Sequence, residues 1–453
     1  MGLFGTDGIR GRAGEGPLSP GSVHRIGQAM GEVLRSASGQ TEVVVARDTR
    51  ESGEAQQAAL AAGLEEAGAR VIDLGILPTP ALSWHLGQAQ GLAGGVMITA
   101  SHNQWHDNGL KLFGSDGAKV ADALEDACEA RYLELVEGSG EAELSDTPDP
   151  GHARTESQHA QVQEAYLASL TCPSDLTGRS VVVDSAAGAT WHTLPAAFRS
   201  AGAQVDHISP EPNGRNINHN CGATQPESLA AAVVRQGAWG GVAVDGDGDR
   251  LILVDELGAI HDGDIILGVL ADAMKQMGLF RGEAVVGTVT TNGGLAEFLK
   301  GLDLSLIRTD VGDRHVARRM LQEGCNLGGE SSGHILTPDL CPTGDGTRVA
   351  LWLLGHASQQ DQRLSTLMST VPRYPVANRK VDARHKPQLS GLSGLQDAVT
   401  EVEEALDNRA GSVLLRYSGT EPVLRIRVEG PDGDLVQRCA DRLAACAAQA
   451  LAG

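Results

Sequence analysis

No apolar run in this chain of 453 residues approaches the roughly 18 residues needed to span a bilayer. The longest candidates, Gly91–Ala100 and Ile265–Met274, are much shorter. No basic stretch followed by an apolar one marks a secretory leader. Cysteine is sparse: Cys128, Cys172, Cys221, Cys325, Cys341, Cys439 and Cys446 make an odd count of 7 with no CxxC spacing. That pattern excludes a disulfide framework or zinc knuckle and implies inert thiols in a reducing cytosol. Positive charge is also scarce, 36 Lys and Arg against 58 Asp and Glu, for a net charge of −22. A chain of that sign lacks the positive field that nucleic-acid grooves and anionic membranes require, although a local anion site remains compatible with it. The expectation is a cytoplasmic protein with neither nucleic acid nor membrane as a partner.

Glycine, by contrast, is abundant at 58 residues, while aromatics make up 3%. Many glycines in a globular chain point to many tight loops. A mass of 47.1 kDa suggests two to four domains, enough chain to bury on the order of three-quarters of its unfolded surface without staples.

One unit recurs three times. Glu42–Asp48 is an apolar run ending in turn residues; a helical stretch closes at Glu66-Ala67-Gly68, and a second strand follows at Arg70–Leu74. The same grammar returns at Ser180–Asp184, Ser200-Ala201-Gly202 and Gln204–Ile208, and again at Ala284–Thr288 with a strand near Leu304–Arg308. Short β-rich runs alternating with helical stretches predict parallel βαβ units. Repeats of this size imply three related α/β domains instead of a solenoid. Each copy then runs a further strand into an unusual polar loop: Thr99–Asn103, Asp245–Arg250 and Gly329–His334. Ligands of open α/β sheets collect beyond the carboxyl ends of strands, so the three loops are expected to converge on one cleft. Linkers are expected at Glu137–His152 and at Val371–Asn378. The second introduces a tail that reads strand (Val413–Leu415), loop, strand (Leu424–Val428) and helix (Asp434–Ala448). The fold class is therefore α/β: three related domains with mixed sheets around a central cleft, plus a smaller C-terminal α+β domain. The boundaries fall at 1–150, 151–253, 254–370 and 371–453.

The loops carry the chemistry. Asp245, Asp247 and Asp249 place carboxylates at alternate positions, a density of hard oxygen ligands that suits Mg²⁺. An EF-hand would need Gly where Arg250 stands and a helix where a strand precedes. Ser101, just past a strand, can be a nucleophile, a phosphate carrier or a turn residue; Lys111, on the apolar strand Leu110–Phe113, can point back at an anion. Gly329–Gly333 fits GxSxG, but a nucleophile elbow requires a helix next, and His334–Pro338 reads as extended. Glu330 with a serine between glycines better suits sugar hydroxyls. In the tail, Arg416–Pro422 with Arg425 and Arg427 forms an anion nest, which points to phosphate in so acidic a chain.

Taken in order, these loops resemble the α-D-phosphohexomutase superfamily, and within it the bacterial glucosamine-phosphate branch. The likeness spans nearly the whole chain. It includes Phe4–Gly11, Leu77–Ala81, Thr99–Asn103 with Asp107–Lys111, Asn216–Asn218 with Cys221–Thr224, Asp245–Arg250, Val311–Arg314, Gly329–His334, Thr343–Gly346 and Arg416–Pro422.

The resemblance implies a heart-shaped, four-domain isomerase whose tail opens and closes the cleft. By position, Ser101 is expected to be the phosphoserine. Asp245, Asp247 and Asp249 would bind one Mg²⁺ per chain, with a Ser101 phosphate oxygen as a further ligand. Glu330 and Ser332 would hold sugar hydroxyls, and Arg416, Ser418, Gly419, Thr420 and Arg425 the non-transferred phosphate. Arg10, Lys111, Arg250 and His334 would line the reacting centre, with Lys111 and His334 as the acid–base pair. The implied reaction interconverts glucosamine 6-phosphate and glucosamine 1-phosphate through a 1,6-bisphosphate, which also serves as activator, and feeds UDP-N-acetylglucosamine and cell-wall synthesis. The partners are small sugar phosphates and a second copy of the chain through the first domain. Two departures, Gln104-Trp105-His106 and Ser331, leave glucose or mannose phosphates as the alternative substrates.

Overall fold

A computed structural model describes residues 2–5, 7–137, 156–209, 211–406, 411–418 and 421–451. The expected linker at Glu137–His152 therefore lies, beyond Glu137, outside the described residues. The first sheet holds β1 (Ile9–Arg12), β2 (Glu42–Arg47), β3 (Arg70–Ile76), β4 (Leu92–Ile98), β5 (Asp107–Gly114) and β6 (Glu156–Ser157) in the order β1-β5-β4-β2-β3-β6. The second holds β7 (Ser180–Asp184), β8 (Gln204–Ile208), β9 (Gly240–Val244), β10 (Leu251–Asp255) and β11 (Ile260–His261) in the order β11-β10-β9-β7-β8. The third runs β13-β12-β14-β15, from β12 (Ala284–Thr288), β13 (Ser305–Thr309), β14 (Gly328–Gly329) and β15 (Ile335–Leu336).

One pattern underlies all three. Strands β3-β2-β4-β5, β8-β7-β9-β10 and β13-β12-β14-β15 each place three parallel strands beside a fourth that returns antiparallel. The polar loops are the turns into that fourth strand. The strand cores are valine runs, Val43–Val45 and Val181–Val183, whose side chains are 0% exposed. β-Branched residues buried on both faces are what central parallel strands require. The boundary expected at 253/254 falls inside β10, and β6, beyond residue 150, pairs with β3 of the first sheet.

The fourth sheet is antiparallel, β16-β18-β17, from β16 (Val376–Asp382), β17 (Ser412–Tyr417) and β18 (Val423–Glu429), with helices Ser393–Ala405 and Gly433–Leu451 packed on one face. The strand β16 and the helix Ser393–Ala405 are additions to the sequence expectation. The first reads Val-Ala-Asn-Arg-Lys-Val-Asp, without apolar alternation and right after two prolines, and the second carries Gly394 in its first turn. Side chains of the second and third units share one apolar core, from Val181 through Val285 to Val371. The C-terminal unit has a core of its own, running from Ala377 to Ala447. No helix among the described residues is long and apolar enough to cross a membrane. The cysteines are free, and burial pushes the thiols of Cys128 and Cys341 up to about 12, so they stay protonated.

Candidate active site

The three polar loops meet. Ser101, 1% exposed, follows β4, and its Oγ donates to Asp245 Oδ2 at 2.7 Å in the loop after β9. Its φ of 51° places it in the left-handed region, which a non-glycine residue occupies only when its surroundings hold it there. Gly246 abuts it: a Cβ at that position would lie 2.6 Å from the Ser101 carbonyl oxygen. The alternation of aspartate and glycine in this loop is thus steric as well as chemical.

Asp245, Asp247 and Asp249 are 0–2% exposed, and one oxygen from each lies within 4.8 Å of the others. Burial, then the charges of Asp249 and Asp247, push Asp245 up to about 7. Asp247 Oδ1 and Asp249 Oδ1 are buried with no hydrogen-bond partner among the described residues. Converging carboxylates, mutual repulsion and orphaned oxygens fit a divalent cation. The opposite edges are already occupied. Lys111 Nζ donates to Asp247 Oδ2 and Asp249 Oδ2 at 2.8 Å each, and Thr79 Oγ1 donates to Asp247 Oδ2 at 2.6 Å.

Cations of all three units close the ring. Burial disfavours the Lys111 ammonium, but Asp247, Asp249 and Asp7 outweigh it and hold its pKa well above the usual lysine value. Arg10 pairs with Asp7. Arg250 donates its backbone N–H to Asp245 Oδ1 at 3.2 Å; despite burial, Asp245, Asp249 and Glu330 raise its pKa. His334, 4% exposed, has Nδ1 3.6 Å from Asp249 and Nε2 3.5 Å from Asp313. Burial works against its cation, and the two carboxylates more than compensate. His102 behaves oppositely: burial, then Arg250 and Arg10, bring it down to about 4, so the ring beside Ser101 is neutral near pH 7.

Glu330 Oε1 accepts the Gly312 N–H at 2.8 Å, and Ser332 Oγ donates to Glu330 Oε2 at 3.3 Å. Because this loop turns between β14 and β15, the helix that a nucleophile elbow needs is absent. Asp345, in the Thr343–Gly346 run, caps helix Gly346–Gln359 through the Arg348 N–H and accepts the Tyr166 hydroxyl.

Arg416, Ser418 and Arg425 stand apart on the fourth sheet, with no hydrogen bond or ion pair to the Ser101 centre among the described residues; Gly419 and Thr420 lie outside those residues. Lys380, Arg425 and Arg416 form one row across β16, β18 and β17. Like charges directly opposite one another are unfavourable, so this row along a groove of about 270 Å³ calls for an anion.

Several residues were given no role by the sequence reading, although Arg314 and Asn218 lie in motifs it quoted. Lys119 pairs with Asp7 and with Asp313, tying the first unit to the third. Arg314 reaches Asp122 and Glu125 of the first unit at 2.7 and 2.5 Å. Arg50 and Asn218 bind the Ser101 loop from beneath. Only the acidic and glycine-rich loops carried a local signal. These partners are single residues brought in from elsewhere in the chain.

The family described as phosphoglucomutase/phosphomannomutase matches in four pieces: alpha/beta/alpha domain I at residues 1–138, domain II at 164–258, domain III at 262–374 and the C-terminal domain at 377–445. A phosphoglucosamine mutase of Halorhodospira halophila is 45% identical over 442 residues, covering 97% of this chain and 95% of that one. A phosphoglucosamine mutase of Neisseria subflava is 42% identical, covering 98% of each. Among solved structures, a phosphoglucomutase/phosphomannomutase family protein from Burkholderia thailandensis superposes with a TM-score of 0.79 at 23% identity, over 98% of this chain and 97% of that one. An Aspergillus fumigatus N-acetylphosphoglucosamine mutase, solved with GlcNAc-6P and magnesium, gives 0.68 at 18% identity, over 99% of this chain and 96% of that one.

Proposed function

This chain belongs to the phosphoglucomutase/phosphomannomutase family, and on that premise we propose that it interconverts glucosamine 6-phosphate and glucosamine 1-phosphate through phosphorylated Ser101 and a 1,6-bisphosphate. The observation that carries the reading is the buried contact of Ser101 Oγ with Asp245, inside a carboxylate cluster that two further domains surround with cations. The glucosamine preference rests on the full-length relatives at 42–45% identity.

In the forward half-reaction the bond from phosphorus to Ser101 Oγ breaks as one to the free sugar hydroxyl forms, and the hydroxyl proton leaves to a neighbouring base. In the second half, after the bisphosphate has turned, the bond from phosphorus to the other sugar oxygen breaks as one to Ser101 Oγ forms, and the proton that Ser101 Oγ gained on releasing the first phosphoryl group passes to the freed sugar oxygen. Transfer of this kind is mostly positioning and electrostatics. Asp245, Asp247 and Asp249 are the residues that would hold Mg²⁺, which when bound offsets charge on the transferring group. Lys111, held as a cation among three carboxylates, is suited to stabilise negative charge, and its raised pKa makes it reluctant to release its proton. His334, buried with Nε2 3.5 Å from Asp313, is the proton carrier. Arg10 and Arg250 flank the serine; Glu330 and Ser332 offer acceptors and a donor to sugar hydroxyls. The row of Arg416 and Arg425, beside Ser418, would hold the phosphate that does not move. We place the protein in the cytoplasm, supplying glucosamine 1-phosphate to nucleotide-sugar synthesis, and expect self-association through the first domain, which sedimentation would test.

The test is a rate comparison on glucosamine 6-phosphate, glucose 1-phosphate and mannose 1-phosphate, with Mg²⁺ and a trace of hexose 1,6-bisphosphate. Strong preference for the amino sugar supports the reading. Equal or faster rates on glucose or mannose would transfer the same mechanism to those substrates, and inactivity on all three would refute it.

A further inference from the structure

Ser101 must serve twice in each cycle, once as donor and once as acceptor, and its side chain changes between the two. Whatever fixes its position cannot depend on that side chain. The structure contains such a device one strand away. Arg50, 2% exposed, lies in the loop after β2, and its guanidinium points under the serine loop. Nη2 donates to the carbonyl oxygens of Ser101 at 3.1 Å and Asn103 at 2.9 Å; Nη1 donates to those of Asp107 at 2.9 Å and Gln104. Nε donates to Asp48 Oδ2 at 2.8 Å. All the N–H groups of an arginine fork are thereby used, four of them on backbone oxygens of one loop.

The grip reaches the other side of Ser101 as well. Asp48 Oδ2 also accepts the Thr99 hydroxyl at 2.7 Å, and Thr99 Oγ1 accepts the Ser101 N–H at 2.9 Å. One guanidinium thus holds the carbonyl of Ser101 directly and its amide through two side chains. From the second domain, Asn218 Nδ2 donates to the same Ser101 and Asn103 carbonyls at 2.8 and 3.0 Å. With the carbonyls of Ser101, Asn103, Gln104 and Asp107 turned toward a buried cation, none of those four dipoles is directed at an incoming phosphate. The left-handed φ of Ser101, 51°, is the conformation this network imposes.

We propose that Arg50 is the positioning residue for phosphoryl transfer, locking the backbone of residues 101–107 so that Ser101 Oγ keeps one location whether or not it carries phosphate. This rests on the phosphoserine reading above. No contact runs from Arg50 to the serine side chain, so the clamp is indifferent to the phosphorylation state, as a reversible donor and acceptor requires.

The test is Arg50→Lys in the full chain, with Mg²⁺ and saturating glucose 1,6-bisphosphate. Lysine keeps the charge, but its single nitrogen cannot span the four carbonyls. A displacement of the order of an ångström should lower kcat about 100-fold in both directions. KM for glucosamine 6-phosphate should stay nearly unchanged. Single-turnover transfer from phosphoenzyme to sugar should slow by the same factor, and amide exchange across residues 101–108 should rise. In Arg50→Ala, millimolar guanidinium but not methylammonium should restore part of the rate. Unchanged single-turnover rates and unchanged exchange in Arg50→Lys would overturn the proposal. So would a loss of activity that merely tracks a loss of folded protein and is not restored by guanidinium. Failure of the wild-type chain to form phosphoserine would instead refute the mechanism it rests on, and the exchange measurement would still report on the clamp.

Discussion

At the junction of the first three sheets, Lys111 is 2% exposed and shares Asp247, Asp249 and Asp7. On the fourth sheet, Arg416 is exposed and faces Arg425, itself 42% exposed, across the strand ladder. Both regions offer cations to a phosphate, yet their electrostatics are opposite in kind. In the first, every cation has a carboxylate beside it, those of Lys111, Lys119 and His334 coming from other loops, and little can move without leaving a buried charge unpaired. In the second, three cations share one row and, among the described residues, only Glu421 answers them, at 2.5 Å from Arg425 and 3.5 Å from Lys380. On the function proposed above, the buried centre is finished before substrate arrives and the exposed row is completed by the substrate itself. The cores agree with this division, since the second and third units share apolar packing while the C-terminal unit packs on its own. A site that makes and breaks bonds benefits from preorganisation, whereas one that must release and recapture a turning bisphosphate benefits from being open.

The sharpest way to break this contrast is at the serine. Ser101→Ala should cost on the order of a millionfold in turnover, the loss seen when a covalent nucleophile is removed, with the fold intact. A coupled assay and intact-mass detection of phosphoenzyme check it, and retained activity without another phosphorylated residue would refute the mechanism. Next comes Lys119, 13% exposed, bridging Asp7 and Asp313 across two domains. Lys119→Met leaves Asp7 to Arg10 and Lys111 and Asp313 to His334 alone, and should destabilise the chain by about 1–3 kcal/mol. Because Asp313 also faces His334, kcat should fall by about 100-fold. Denaturant melts and initial rates measure both effects, and a loss of stability without a loss of kcat would confine Lys119 to scaffolding.

The same contrast explains what was legible in the sequence. Three valine-rich strands, each leading to a polar loop, disclosed the repeat, because parallel strands buried on both faces leave an unbroken apolar trace. The metal loop was legible for a related reason: carboxylates at alternate positions are costly unless something draws them together. Lys119, Asp313, Arg50 and Asn218 were not assigned roles because their meaning is tertiary. Lys119 and Arg50 stand in stretches no motif marked, Asp313 and Asn218 in motifs whose role was not assigned, and the contacts that matter here reach partners between 51 and 194 positions away. On the fourth sheet, Arg416 and Arg425 stood out beside the glycine of their loop. Lys380 became part of the row only once β16 was seen to pair with β18.

A milder change should fall on binding alone. Arg425→Ala removes one member of the cationic row and should raise KM for glucosamine 6-phosphate about tenfold to a hundredfold, the worth of a charged hydrogen bond. The kcat and thermal midpoint should be nearly unchanged, and the effect should shrink with added salt because the residue is exposed. A matching loss of kcat would mean that the row takes part in the transition state, and the contrast between the two regions would then have to be redrawn.

The smallest effect tests how the two regions are joined. Asp264, 4% exposed, sits where the third unit meets the fourth. Burial, then Asp262, push its carboxyl up to about 7, against the Asn292 N–H and the charges of Arg427 and Arg373. Asp264 Oδ2 accepts that N–H at 3.0 Å, and Asn292 in turn bonds both backbone groups of Tyr374 at the start of the C-terminal unit. The folded chain therefore keeps this proton up to about pH 7, whereas an unfolded aspartate releases it near 3.9. Between those values the folded state binds more protons, so the contribution is fully present below about pH 4 and is lost as pH rises through about 7. Asp264→Asn should flatten that slope in thermal midpoints, at about 2–4 °C for each kcal/mol removed. It should leave the kcat of the buried centre untouched. An unaltered slope would mean that Asp264 ionises normally, and that the two units are held together by the Arg373–Asp262 pair and the capping of Gly293 by Glu429.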